Sequence, residues 1–369
     1  MTVRYLHAEQ YLHAEAVLRA FAAAGKRHLL LTGGRGTGKS TLAGALAGML
    51  GASAGITTTA VPRSCVMMRD NRSGVSAIVG KYDPDLPGNE RKMTAVPGGF
   101  AEFGAALLRR CAEMDDEWIS VDEIGYLEHG CTAYSDALAA LMEKKRLLAV
   151  VRKQALPDCS ALTRREDVFL LDLDQPFGAD AVGCVIMASG MGVRFGGNKL
   201  MADFRGMPMI GRVLDCTEGI FTRRVVVTRH STVADFCAQR GVDTVLHDLP
   251  DRSDTVRLGL EALGEVSSCV FCPGDQPLLQ ADTVAALVMA SAVLPQRMLR
   301  AAYGDTVGAP VLFPAWTFPQ LRTLPAGKGG GYVLRQYPEA VCTVSVGDPM
   351  ELADADTKDA LRMLAEYPL

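Results

Sequence analysis

The sequence predicts an α/β protein made of two three-layer units in tandem, and three observations predict it. Short apolar runs alternate with helix-spaced segments along most of the 369 residues. Two of those runs, 28–32 and 182–188, pass directly into glycine-rich turns, so each half opens with its own strand-to-loop transition. Between the halves, Asp174-Gln175-Pro176-Phe177-Gly178 carries turn residues and no apolar period. The expected units are therefore residues 1–178 and 179–369.

Composition agrees. With 49% hydrophobic and 22% charged residues, the chain is ordinary globular material, long enough for two buried cores. A net charge of -4, from 38 basic and 42 acidic residues, gives no diffuse basic surface, so nucleic acid is not an expected partner. No apolar run approaches the roughly 18 residues that would span a bilayer, and the first ten residues lack the apolar core of a secretory signal. The expectation is a cytoplasmic protein without a membrane partner. The ten cysteines are scattered. Cys269 and Cys272 form a CxxC, but inside an apolar strand-like run where residues three apart face opposite sides, so they read as packing rather than as a metal or redox pair.

In order, residues 8–24 read as a helix with a loose stripe of Leu12, Ala16 and Leu18 or Arg19, stopped at Gly25. A strand at 28–32, a helix through Leu50 and a strand at 55–61 follow. Proline and glycine mark 83–99 as an exposed loop. Helix resumes over 101–112, then strand 118–121, helix 135–145 and strands 147–151 and 168–173. The second half reads as strands at 182–188, 224–228, 243–246 and 268–272, interleaved with helices at 209–217, 232–240 and 254–263. Residues 62–99 and 295–335 are left as regions with loops suited to a cofactor or a partner.

Gly33-Gly34-Arg35-Gly36-Thr37-Gly38-Lys39-Ser40 fits the phosphate-binding pattern G-x-x-x-x-G-K-[ST], after an apolar strand and before a helix. Gly33, Gly36 and Gly38 let backbone N–H groups curl around phosphate oxygens, and the helix beginning with Ser40 and Thr41 presents its positive end. Lys39 would neutralise the β and γ phosphates, and Ser40 would ligate Mg²⁺. The apolar run before Asp122-Glu123 supplies the acidic strand end that such a loop needs. Asp122 is the expected metal-side carboxylate, and Glu123 the group that orients or deprotonates attacking water. Arg63, Arg69, Arg72 and Arg91 lie in segments that could bring an arginine to the γ-phosphate. Asp122-Glu123-Ile124-Gly125-Tyr126-Leu127-Glu128 resembles the DEIGxxE signature of THEP1-type nucleoside-triphosphatases over residues 27–173. The resemblance implies a P-loop NTPase fold and hydrolysis of ATP or GTP with little base selectivity. Glu128 reads equally as part of that motif and as a surface position at a helix start; His129 reads as exposed.

The second glycine loop, within 185–199, lacks GK[ST] and the third glycine of a dinucleotide fingerprint. Arg194 and Lys199 flank a backbone able to wrap a triphosphate, with Gly190 and Gly192 offering unobstructed N–H donors. Ala188, Gly190, Arg194, Gly196 and Lys199 match the A-x-G-x-x-x-R-x-G-x-x-K signature of MobA-like nucleotidyltransferases. The whole of 182–366 resembles that family, most closely its molybdenum cofactor cytidylyltransferase (MocA-like) branch, with Ser189 and Gly192 as departures. The resemblance implies a Rossmann-like, GT-A-like fold. It places Arg257 near the nucleobase and sugar, and Mg²⁺ on Asp275 with Asp354 or Asp356 as second carboxylate; the bland alternative for either of those two is capping of the last helix. Ala309 stands where the family has a histidine. Arg194 and Lys199 would stabilise departing pyrophosphate.

The implied function is transfer of CMP from CTP to a molybdopterin-type cofactor by one half, fused to an NTP-hydrolysing half. Guanylyl transfer to the same acceptor and transfer to a sugar or polyol phosphate are the enzymatic alternatives. A reading of another class is an NTP-driven factor that hands the cofactor to a molybdenum hydroxylase apoenzyme.

Overall fold

Each alternating half of the chain forms one open, mixed sheet with helices packed on it in the computed structural model, which describes residues 13–86 and 92–368. The helix α1 (Ala14–Ala24) precedes the first sheet. That sheet contains β1 (His28–Thr32), β2 (Ala54–Val61), β3 (Cys65–Asp70), β4 (Ser76–Tyr82), β5 (Met93–Ala95), β6 (Trp118–Ile124), β7 (Arg146–Val151) and β8 (Val168–Asp172). Its order is β5-β4-β3-β2-β6-β7-β1-β8. From β2 to β8 the neighbours run parallel, while β3, β4 and β5 are added antiparallel. Because β1 lies between two parallel neighbours it is buried throughout, which is why His28–Thr32 reads as an unbroken apolar run. The helices are α2 (Lys39–Leu50), α3 (Ala105–Ala112), α4 (Thr132–Lys144) and α5 (Pro157–Thr163). Left-handed glycines bound α2: Gly38 starts it, and Gly51 ends it with an N–H donated to Ala47 O.

The second sheet contains β9 (Val182–Ala188), β12 (Arg223–Thr228), β13 (Asp243–Leu246), β14 (Ser268–Pro273), β15 (Met298–Tyr303), β16 (Thr306–Pro314) and β17 (Val341–Ser345), in the order β13-β12-β9-β14-β16-β15-β17. Strands β13, β12, β9 and β14 are mutually parallel, and β16 runs against both its neighbours. A short hairpin, β10 (Asp203–Phe204) and β11 (Met207–Pro208), stands apart. The helices are α6 (Met209–Cys216), α7 (Ser231–Gln239), α8 (Arg252–Leu263), α9 (Ala281–Val293), α10 (Phe318–Arg322), α11 (Gly331–Gln336) and α12 (Lys358–Glu366). Cys269 and Cys272 are fully buried in β14, as packing residues.

Chain contacts divide the protein between Pro176 and Phe177, where 1–178 and 179–369 were expected, and they also assign one helix differently. Helix α1 belongs to the second unit, where it packs on α9 and β17. Its buried stripe is Ala16, Val17, Ala20, Phe21 and Ala24, mostly small residues that allow close approach to the alanine-rich α9. Leu12 lies outside the described residues. Residues 62–99 also differ from expectation: instead of loops, β3, β4 and β5 extend the first sheet. Alternate burial of Val66, Met68 and Asp70 along β3 makes a half-buried strand whose mixed polarity masks it. Residues 87–91 of the expected loop lie outside the described residues. Gly99 opens a six-residue π-helical turn, Gly99–Gly104, ahead of α3, and a Cβ there would lie 2.9 Å from Val79 Cα. Among the described residues no helix is long and apolar enough to cross a membrane.

Backbone contact in the first sheet yields a stability test. Gly55 has φ +140°, and a Cβ there would lie 1.9 Å from Ser120 O of the neighbouring strand β6, whereas a Cβ at Gly44 in α2 meets nothing within 4 Å. Gly55→Ala is expected to destabilise the first unit by about 3 kcal/mol or more, and Gly44→Ala to stabilise it by about 0.5–1 kcal/mol. Urea unfolding of both variants measures this; equal midpoints would contradict the packing described.

Candidate functional sites

In the first unit, Gly33–Ser40 joins β1 to α2. Gly36 and Gly38 take φ values of +79° and +87°, which a side chain would strain. Lys39 Nζ donates to Gly33 O at 2.9 Å and to Gly34 O at 2.6 Å, so its ammonium lies folded over its own loop. Thr41 is exposed in the first turn of α2. The order β6-β7-β1 puts Asp122 level with Val150, and Val150 level with Leu31, so the acidic strand end and the glycine loop emerge at one edge. Ser40 donates to the Asp122 carboxylate, and burial is the chief reason that the Asp122 pKa is raised. Structure thus brings Lys39, Ser40 and Asp122 together.

Glu123 follows on the same strand and accepts a short hydrogen bond from Arg152 Nε, at the end of β7. Glu128 is buried rather than at the surface, and it accepts from Gly125 N–H. Burial, largest of the causes, raises its pKa. His129 is partly exposed and pairs with Asp158 at 2.8 Å. Of the arginines named from sequence, Arg72 pairs with Asp116 at 2.9 Å, ahead of the N-terminal end of β6 and away from the loop edge. The guanidinium of Arg69 is directed to the Gly74 turn. Arg63 sits in the β2–β3 turn with φ +54°, and Arg91 lies outside the described residues. Sequence reasoning missed three groups here. Asp174 accepts from Gly34 N–H at 2.9 and 3.1 Å, and Lys153 Nζ bridges Asp174 and Asp172 at 2.9 and 2.7 Å. These belong to the ends of β7 and β8, for which no motif exists, and the turn composition of 174–178 reads only as a boundary.

In the second unit, the loop after β9 is closed on itself. Gly192 O accepts N–H groups from Phe195 at 3.0 Å and Gly196 at 2.9 Å. Gly192 has φ +60°, and a Cβ there would lie 2.1 Å from Gly197 O. The glycine that departs from the family pattern is therefore required locally. Ala188 ends β9, buried, with its carbonyl accepting from Thr228 Oγ1 at 2.9 Å. Gly190 O accepts from His230 Nε2 at 2.9 Å, and Ser189 Oγ lies 2.8 Å from His247 Nε2. Neither histidine is visible in the motif.

Lys199 is the centre of this site. Its side chain is 8% exposed, and its Nζ donates to Asp275 Oδ2 at 2.5 Å and to Asp356 Oδ1 at 2.8 Å. Arg194, largely exposed, reaches Asp356 Oδ2 at 2.7 Å. Asp275 comes from the loop after β14, and Ala355 N–H donates to Asp275 O at 2.9 Å, which docks the segment before α12 against it. Of the two candidate second carboxylates, Asp356 shares Lys199 with Asp275. Asp354 instead accepts from Gln276 Nε2 at 3.1 Å, and its pKa is raised, first by burial and then by Asp275. Neither caps the last helix: Thr357 does, accepting from Ala360 N–H at 3.1 Å. Arg257 pairs along its own helix with Asp254 at 3.2 Å and Glu261 at 3.1 Å, and its hydrogen bonds do not go to the glycine loop. Among the described residues no group of three or more His, Cys, Asp or Glu gathers as a metal site. Each glycine loop instead meets two oxygen groups, Ser40 with Asp122 and Asp275 with Asp356. That set suits a hard cation whose remaining ligands are phosphate oxygens and water.

Residues 28–176 match the NTPase family, and residues 184–341 match the family described as the MobA-like NTP transferase domain. No curated protein matches the chain. Among solved structures, Rv0371c from Mycobacterium tuberculosis H37Rv is 23% identical, covering 51% of this chain and 99% of its own, at a TM-score of 0.44. Molybdopterin-guanine dinucleotide biosynthesis protein A from Archaeoglobus fulgidus is 18% identical, covering 50% and 97%, at 0.41. THEP1 from Aquifex aeolicus is 23% identical, covering 40% and 89%, at 0.34. The chain is a fusion of two nucleotide-handling enzyme domains. In order, they are an NTPase-family domain over residues 28–176 and a MobA-like NTP transferase domain over residues 184–341.

The buried Glu128 carboxyl generates a pH-dependent prediction. A carboxyl whose folded pKa is raised contributes stability that is present below its unfolded value, about 4.3, and is lost as pH rises through the folded value. Glutamine keeps an acceptor for Gly125 N–H and cannot ionise. The unfolding free energy of Glu128→Gln relative to the wild type is therefore expected to increase between about pH 4 and pH 7. Denaturant titrations across that range measure it, and a constant difference would contradict the assignment.

Proposed function

We propose that the second domain is a molybdenum cofactor cytidylyltransferase, which transfers CMP from CTP to molybdenum-loaded molybdopterin and releases pyrophosphate, and that the first hydrolyses ATP or GTP. The observation that carries the transfer reading is the convergence of Lys199, Arg194, Asp275 and Asp356 at the ends of β9 and β14. A terminal phosphate oxygen of the acceptor attacks the α-phosphorus of the triphosphate; a phosphorus–oxygen bond forms there as the bond to the β-phosphate bridging oxygen breaks. The acceptor phosphate is already anionic, so no protein base is needed, and the domain's task is positioning and charge stabilisation. Lys199 and Arg194 would exchange their carboxylate partners for the β and γ phosphates that leave as pyrophosphate. Ala188, Gly190 and Gly192 shape the loop that receives those phosphates, and Arg257 would face the nucleobase end. The MocA-like pattern of 188–199 supports CTP over GTP.

Mg²⁺ is the proposed cation of both sites, held by Asp275 and Asp356 in the second domain and by Ser40 and Asp122 in the first. When bound it would neutralise triphosphate oxygens as charge develops on them. In the first domain, Gly33, Gly36, Gly38 and Thr41 would border the phosphates, Lys39 would leave its loop carbonyls for the β and γ phosphates, and Glu123 would orient the attacking water. Proposed partners are thus nucleoside triphosphates and a molybdopterin-type cofactor.

The test is pyrophosphate release from CTP, GTP, ATP and UTP with molybdenum-loaded molybdopterin as acceptor. Release with CTP is expected, and release with GTP alone would overturn the cytidylyl reading. In the same preparations, Asp275→Ala should abolish transfer and spare hydrolysis, and Lys39→Ala should do the reverse. Losses of about 100-fold or more are expected for each affected activity.

A further inference from the structure

Arg152 belongs to no sequence motif, yet five residues of the Asp122–Glu128 segment are arranged around it. Its Nε donates to Glu123 Oε1, and its backbone N–H donates to Ile124 O at 2.8 Å. Its guanidinium carbon lies 5.5 Å from the centre of the Tyr126 ring, within range of a cation–π contact. Gly125 lets the side chain pass: a Cβ at that position would lie 2.9 Å from Arg152 Cδ. Glu128 in turn fastens Gly125 by accepting its N–H from a buried position. Glu123, Gly125, Tyr126 and Glu128 thus share one physical purpose, the placement of a single guanidinium against a single carboxylate.

We propose that Arg152 is the positioning residue for Glu123 in NTP hydrolysis. Resting on the reading of the first domain as a hydrolase that uses Glu123, the proposal assigns Arg152 to the Oε1 oxygen, so that Oε2 faces the attacking water. A glutamate at a strand end otherwise samples several rotamers, and a water held by it would be misplaced for most of the time. Two of the arginines considered from sequence for the γ-phosphate are turned elsewhere: Arg72 is bound to Asp116 and Arg69 is directed to Gly74. An ion pair with Arg152 and Glu123 side chains 40% and 26% exposed adds little to stability, so its removal should leave the fold intact.

Steady-state hydrolysis by the full chain tests this with Glu123→Gln, Arg152→Ala, Arg152→Lys and the Arg152→Ala, Glu123→Gln double variant. Arg152→Ala is expected to lower kcat by about tenfold or more while KM stays within about threefold, because substrate binding is not its task. Arg152→Lys should recover part of that loss. The double variant should be no slower than Glu123→Gln alone, since a residue that acts through Glu123 has nothing left to position. A rise in KM with unchanged kcat, or losses that multiply in the double variant, would overturn the proposal. If Glu123→Gln retains wild-type kcat, the reading of Glu123 itself fails; if it loses activity while Arg152→Ala does not, only the role of Arg152 fails.

Discussion

A glycine-rich loop supplies N–H donors but no carboxylate for a cation, so it works only where a second strand ends beside it in one. Parallel pairing meets that constraint, because parallel neighbours send their C-terminal loops to the same edge. In the first domain, the register through β6, β7 and β1 sets Asp122 level with Leu31, near the end of the strand that feeds the glycine loop. In the second, β9 and β14 are direct neighbours, with Met187 paired to Pro273, so Asp275 emerges beside Gly190 and Lys199. Antiparallel strands are added outside these central sets, where they widen the sheets without disturbing the shared edge.

The groups that would handle phosphate and the attacking water are all engaged with other groups of the chain. Lys39 is held by loop carbonyls, Lys199 by two aspartates, Arg194 by one of them and Glu123 by Arg152. Lys199 has the least choice: a side chain so deeply buried is tolerable as a cation only with partners. Those partners are also the proposed metal ligands. A cation and a triphosphate arriving together can take over both halves of each pair, the cation replacing the ammonium on the carboxylates and the phosphates replacing the carboxylates on the ammonium. The overall charge of -4 gives no hint of this local balance.

Features with strict backbone demands were legible in the sequence. The strands before both loops, the glycine turns that follow them and the strand that ends at Asp122-Glu123 could be read from apolar runs and glycine spacing. Side-chain partnerships across the fold were not legible. Arg152, Lys153 and Asp174 act from the ends of neighbouring strands, and nothing local in the sequence distinguishes them from surface charges. Asp354 and Asp356 were inseparable by spacing, whereas in the structure Asp356 accepts from Lys199 and Asp354 from Gln276. The placement of α1 did leave a trace: α9 is apolar all round, buried from Thr283 to Ser291, which signals a helix covered on more than one side. Strands β3 and β4 were hidden because half-buried strands of mixed polarity look like loop.

The central claim is that each domain holds its own triphosphate site, built on Lys39 in one and Lys199 in the other. Binding stoichiometry measures this most directly, by calorimetry with non-hydrolysable triphosphate analogues and Mg²⁺. The account predicts two analogues per wild-type chain, one for Lys39→Ala, one for Lys199→Ala and none for the double variant. A single analogue per wild-type chain, or loss of both on substitution of one lysine, would contradict it.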